Sequence, residues 1–247
     1  MIIAVVSGKG GVGKTTLVAN LGATLSMLGK KILLMDLNIS TPNLGLYLGF
    51  LSQERSIQKA LEEETELKDC VNIYKPNLHL IVADFYNENC DLNFLRESLE
   101  TLPTYDFIFL DGAAGIGKEV KETINACDKV LLIVNPTMFS IVSGAKIMKL
   151  VRKEGKSVEI IVNKWGIGPN HITLKKIREL LDAPIIGVVP FDKKIVESCE
   201  RNEIFAIKHP NSSIAKEFRK ITSHLTGLPL KREGVLKRIF SRLRFWQ

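Results

Sequence analysis

Apolar, β-rich runs alternate with longer stretches of helical periodicity along most of this chain. Seven runs read as strands, at 2–7, 31–37, 78–83, 107–111, 129–135, 158–163 and 185–189. Several are apolar throughout rather than alternating, as strands covered on both faces are. Between them, residues 15–25 place Leu17, Leu21 and Leu25 four apart, a helical spacing. Residues 139–154 do the same with Ile141, Ala145, Met148 and Val151. A further helix is expected over 214–225, and Thr226-Gly227-Leu228-Pro229 reads as its stop. This alternation predicts an α/β fold, a doubly wound and mostly parallel sheet with helices on both faces. Ligands of such sheets bind beyond the carboxyl ends of the strands.

The first strand runs straight into Gly8-Lys9-Gly10-Gly11-Val12-Gly13-Lys14-Thr15-Thr16, and a helix follows. Glycines let a backbone take positive φ and turn consecutive N–H groups inward around anionic oxygens. Set between a strand and a helix N-terminus, this is a phosphate loop and implies a nucleoside triphosphate. Lys14 is expected to reach the β- and γ-phosphates and the Thr15 hydroxyl to hold Mg²⁺. Lys9 is an extra cation that phosphate binding does not require.

Two more strands end in carboxylates. Asp111 closes Phe107-Ile108-Phe109-Leu110 and precedes the glycine-rich Gly112-Ala113-Ala114-Gly115-Ile116-Gly117. That position suits the Mg²⁺ carboxylate of a nucleotidase, with Gly115 able to lend its N–H to the γ-phosphate. Capping of the next helix is the plainer role for such an Asp. Asp36 closes Ile32-Leu33-Leu34-Met35 and is followed by Asn38, Ser40, Thr41, Pro42 and Asn43. That polar segment fits a γ-phosphate sensor or a plain loop, and the local sequence does not separate the two. Asn163 ends another strand, where its amide can donate to and accept from a purine edge. Val189-Pro190-Phe191-Asp192 ends the last strand and either walls the base or forms a turn.

Charge changes the picture at one end only. Of a net +7 over 247 residues, 231–247 holds six basic side chains and one acid, +5, which leaves +2 for 1–230. Within that segment Val235, Leu236, Ile239, Phe240, Leu243 and Trp246 fall on one helical face of roughly 140°. Lys237, Arg238, Arg242 and Arg244 fall elsewhere on the wheel. A strong apolar face, basic flanks and a terminal aromatic pair predict an amphipathic helix for an anionic membrane interface. Docking on the domain and nucleic-acid binding are the competing readings. The apolar face lacks the interleaved base-stacking aromatics of the latter, so nucleic acid is disfavoured. The sequence divides into an ATPase-like domain at 1–227 and a tail at 228–247.

Cys70, Cys90, Cys127 and Cys199 are far apart with no Cys-x-x-Cys pair, against a metal centre built within one chain. Met1 leads directly into a strand without a basic leader, and no segment reaches the ~18 apolar residues of a membrane span. A reducing cytosol is the expected compartment.

Taken together, Lys9 through Thr16, Asp36, Asn43-Leu44, the 111–115 loop, Asn163 and Val189-Pro190 resemble the MinD/ParA family of deviant Walker A ATPases, its MinD-type members above all. The resemblance covers most of 1–226. It implies ATP and Mg²⁺ as ligands and an ATP-sandwich homodimer, with Lys9 reaching the partner's phosphates as a cation supplied in trans. The tail is similar in position and pattern to the membrane-targeting sequence of MinD-type members. Relatives carry a second Asp two residues beyond the one matching Asp36, placed to orient or deprotonate the attacking water. Here that position is Asn38, which can bond water but cannot take its proton, so hydrolysis is expected to be slow. Ala113 stands where such loops usually carry Pro.

The expected function is a membrane-cycling ATPase on the inner face of the membrane that positions other proteins, as in division-site placement, with an unidentified activator or cargo. A flagellar-number regulator is not separable from this by sequence. A DNA-segregating ATPase and a metal or iron–sulfur carrier are the remaining alternatives.

Overall fold

A computed structural model describes residues 1–50, 55–62, 64–87, 90–168 and 171–229. The expected membrane helix, with Val235, Leu236, Ile239, Phe240, Leu243 and Trp246, lies outside the described residues.

Eight strands form one sheet: β1 Ile2–Ser7, β2 Ile32–Leu37, β3 Asn72–Lys75, β4 Leu78–Ile81, β5 Phe107–Ala114, β6 Lys129–Val134, β7 Ser157–Trp165 and β8 Ile185–Pro190. Their order is β3-β4-β2-β5-β1-β6-β7-β8. Every pairing is parallel except β3 with β4. The doubly wound reading holds. The seven expected strands are present, with ends shifted by up to three residues. β3 was not expected, because Asn72-Ile73-Tyr74-Lys75 is short and largely polar, with Ile73 69% exposed at the sheet edge. Such polarity blunts an edge that would otherwise recruit another strand.

Apolar runs become two-sided cores through the pleat. On β1, Ala4 and Val6 point to one core, and Ile3 and Val5 to the other. The second core is covered by α1 (Lys14–Met27) and α2 (Leu44–Leu48). The first receives α3 (Ile57–Leu61), α4 (Leu95–Glu100), α5 (Lys118–Ala126), α6 (Met138–Lys153) and α7 (Leu174–Leu181). After β8, α8 (Lys193–Glu200), α9 (Phe205–Lys208) and α10 (Ser213–Thr226) return to the side of α1. Helix α1 is buried continuously from Leu17 to Ser26, so it is held by packing on nearly every side rather than by one apolar stripe. Helix α10 ends as expected: Gly227 takes φ 67°, the left-handed cap that a side chain disfavours.

Candidate functional site

The carboxyl ends of β1, β2, β5, β7 and β8 open onto one cavity of about 980 Å³. Sheet order sets its two ends. Asn38, Ala113 and Lys14 come from the neighbouring strands β2, β5 and β1 and their following segments. Asn163 and Pro190 come from β7 and β8 at the other end.

The phosphate loop is shaped by glycine geometry and anchored from behind. Gly11 and Gly13 take φ of 73° and 95°, and Gly13 is the N-cap of α1. A Cβ on Gly13 would also collide with Asn163 Nδ2, and one on Gly8 with the backbone carbonyl of Ser143 in α6. From β7, Asn163 Nδ2 donates to the Val12 carbonyl at 2.7 Å and Lys164 Nζ to the Gly11 carbonyl at 2.7 Å. With its outer carbonyls occupied, the loop can aim its N–H groups at an anion. Lys14 is buried, and its Nζ donates to Ser7 Oγ at 3.1 Å. Desolvation lowers its pKa, while the charges of Asp111 and Asp36 oppose that. A cation in this state gains most from an arriving polyanion.

Lys9 behaves differently. It is exposed, does not border the cavity, and its ammonium has no hydrogen-bond or ion-pair partner among the described residues.

Asp36 and Asp111 are both buried at the phosphate end, and burial raises both, to about 6 and about 7. The two are not equivalent. Asp36 Oδ1 accepts the Asn38 N–H at 3.1 Å; Oδ2 accepts those of Asn43 and Leu44 at 2.9 and 2.8 Å. These three bonds make Asp36 a carboxylate that organises the loop at 38–44. Asp111 has no hydrogen-bond partner at either oxygen. The Thr15 hydroxyl lies close enough to favour its charged form, outside hydrogen-bonding geometry. An orphaned buried carboxylate beside Thr15, Lys14 and a second carboxylate fits a divalent cation. No group of three or more His, Cys, Asp or Glu side chains could hold a metal among the described residues. Thr15 and Asp111 are the residues that would hold such an ion, with phosphate and water completing its shell.

Other expectations change at this scale. Gly115 takes φ 96° and donates its N–H to the Ser7 carbonyl at 2.9 Å, so in this conformation the group expected on the γ-phosphate closes the sheet instead. Asn38 Nδ2 donates to the carbonyl and, at 3.0 Å, to the hydroxyl of Thr41, whose hydroxyl donates back to Asn38 Oδ1 at 3.2 Å. Ala113, Thr16, Asn163 and Pro190 all line the cavity, and Cys127 caps the end of α5. Gly8, Val12 and Gly10 complete the loop, though only Gly10 borders the space.

Sequence reasoning missed the hub of α1. Buried Asn20 donates to the Thr16 carbonyl at 2.7 Å and accepts the Ala206 N–H at 2.7 Å, tying the phosphate loop's helix to α9. It also missed Cys199, which lines the cavity 3.7 Å from Thr16 Oγ1. Neither carries a local signal, since each partner lies more than 180 residues away for the longer contact.

A doubly wound sheet with this loop, a buried lysine and an unpartnered carboxylate at the strand ends defines a P-loop nucleotide-binding protein. Residues 3–205 match the CobQ/CobB/MinD/ParA nucleotide binding domain, and the chain belongs to that family. The septum site-determining protein MinD of Synechocystis sp. is 32% identical, over 92% of this chain and 89% of that protein. The solved MinD of Pyrococcus horikoshii, complexed with Mg-ADP, superposes with a TM-score of 0.85 at 28% identity, covering 92% of this chain and 96% of that one. MinD in the MinC:MinD complex of Aquifex aeolicus superposes with a TM-score of 0.81 at 32% identity, covering 94% and 98%.

Proposed function

We propose that this is a MinD-type ATPase that dimerises with ATP, associates with an anionic membrane on its inner face and positions other proteins, in division-site selection. ATP with Mg²⁺ is the ligand. Gly10, Gly11, Gly13, Lys14, Thr15 and Thr16 take the phosphates, Thr15 and Asp111 take the ion, and Asn163 and Pro190 border the base.

Lys9 carries the proposal. A cation next to the phosphate loop that neither enters its own cavity nor pairs with any described residue of its own chain is placed for a second copy's phosphates. Supplying it in trans makes nucleotide binding and pairing one event. Each tail binds a membrane weakly, and pairing two raises their effective concentration at the surface. Hydrolysis then releases the pair. The MinD-named relatives and the MinC:MinD complex support a protein partner of this kind. No helix among the described residues is long and apolar enough to cross a membrane, so attachment falls to the tail.

Hydrolysis is slow relative to that of a chain with an acid at position 38, because an amide there cannot accept a proton and this one is held by Thr41. Liposome sedimentation with ATP, with ADP, and with a chain ending at Leu228 tests the cycle. The expected result is sedimentation with ATP and the intact tail only. Equal sedimentation in all three overturns it.

A further inference from the structure

We propose that Glu119 is the carboxylate that positions and deprotonates the attacking water. The inference rests on the nucleotide reading above and deepens it.

The phosphate end of the cavity holds few carboxylates. Asp36 is engaged by three backbone N–H groups, and Asp111 faces Thr15 and the cation position. Among residues bordering the cavity, the other acids are Asp192 and Glu119. Asp192 stands at the base end and caps α8 through the Lys194 N–H at 2.9 Å. Glu119 stands at the phosphate end, half-buried in the first turn of α5, where a helix N-terminus favours an anion.

Its position is set from across the cleft. Ser40 Oγ donates to Glu119 Oε1 at 2.7 Å, joining the loop after β2 to α5 over 79 residues of sequence. Ser40 is two residues from Asn38, and Asn38, Ser40 and Glu119 border the same space. One Glu119 oxygen is thus fixed by the loop that would contact a γ-phosphate. The other oxygen has no hydrogen-bond partner among the described residues and is left for a water. Asn38, by contrast, has donor and acceptor both turned to Thr41.

In the reaction, water oxygen bonds to the γ-phosphorus as the β,γ-bridging P–O bond breaks. The electron pair of that bond stays on the bridging oxygen of ADP. One water proton passes to Glu119 and then to solvent, leaving ADP and phosphate.

The test is single-turnover phosphate release, with affinity for a non-hydrolysable ATP analogue measured beside it. Glu119→Gln keeps an oxygen for Ser40 but loses the base. It is expected to slow release by about 10- to 100-fold, with analogue affinity within about twofold of the parent chain. Adding Asn38→Asp to Glu119→Gln is expected to restore release. Unchanged release in Glu119→Gln overturns the proposal, since a purely structural Glu119 would tolerate glutamine. So does loss of analogue affinity in that variant, which would make Glu119 a binding group. If the unaltered chain binds no analogue, the nucleotide reading itself fails, a result distinct from either.

Discussion

Asp36 and Asp111 are register partners at the ends of adjacent parallel strands, and both carboxyls are buried, yet only Asp36 has hydrogen-bond donors. Their mutual repulsion is one cause of Asp111's raised pKa, second to burial. Of the two, Asp111 is the carboxylate whose charge a bound cation would offset.

The consequence is a pH dependence with a defined sign. A carboxyl raised from 3.8 to about 7 favours the folded chain fully below its ordinary value, and that contribution is lost as pH rises through about 7. Without nucleotide, Asp111→Asn is therefore expected to melt above the parent chain near pH 7.5, and the gap should close toward pH 4. Each kcal/mol relieved raises Tm by about 2–4 °C at this chain length. The same variant should lose the Tm gain that Mg²⁺ and ATP give the parent. Thermal melts by circular dichroism across pH, with and without ligand, check both halves.

Asn163 connects the β7 end of the cavity to the phosphate loop through the Val12 carbonyl. Asn163→Ala removes that buried bond and should weaken ATP binding by about tenfold, about 1.4 kcal/mol. Fluorescent ATP and GTP analogues separate its two possible duties. Equal losses for both bases mean that Asn163 works through the loop; a selective loss of ATP means that it also reads the base.

Lys9→Ala should leave monomeric ATP binding within about threefold while abolishing ATP-dependent pairing in sedimentation velocity. Pairing that survives the change would remove the in-trans role.

Asn38→Asp places an acid two residues beyond Asp36. Steady-state phosphate release is expected to rise by about tenfold or more. A flat response would mean that another step limits turnover.

Cutting the α1 hub tests the fold rather than the chemistry. Asn20→Ala leaves the Ala206 N–H buried without its acceptor, at a cost of about 1–3 kcal/mol. A Tm drop of about 2–12 °C is expected by calorimetry.

Much of the architecture was legible because its causes are local. Apolar runs marked the buried strands, the 8–16 spacing marked the phosphate loop, and Gly227 marked the end of α10, each through periodicity or backbone freedom within a few residues. Edge strand β3 escaped because an edge has no core to advertise. The glycine-rich surroundings of Gly115 gave no sign that its N–H closes onto Ser7, more than 100 residues earlier.

By itself, then, the sequence determined seven of the eight strands, three of the helices and the place of the phosphate loop. Those follow from side-chain periodicity, glycine φ and charge, all read along the chain. Only the tertiary structure decided that Asp36 holds a loop while Asp111 stays open, that Asn163 grips Val12, and that Glu119 meets Ser40. Strand order brings those atoms together, and a hydrogen bond depends on distance in space rather than on separation in sequence.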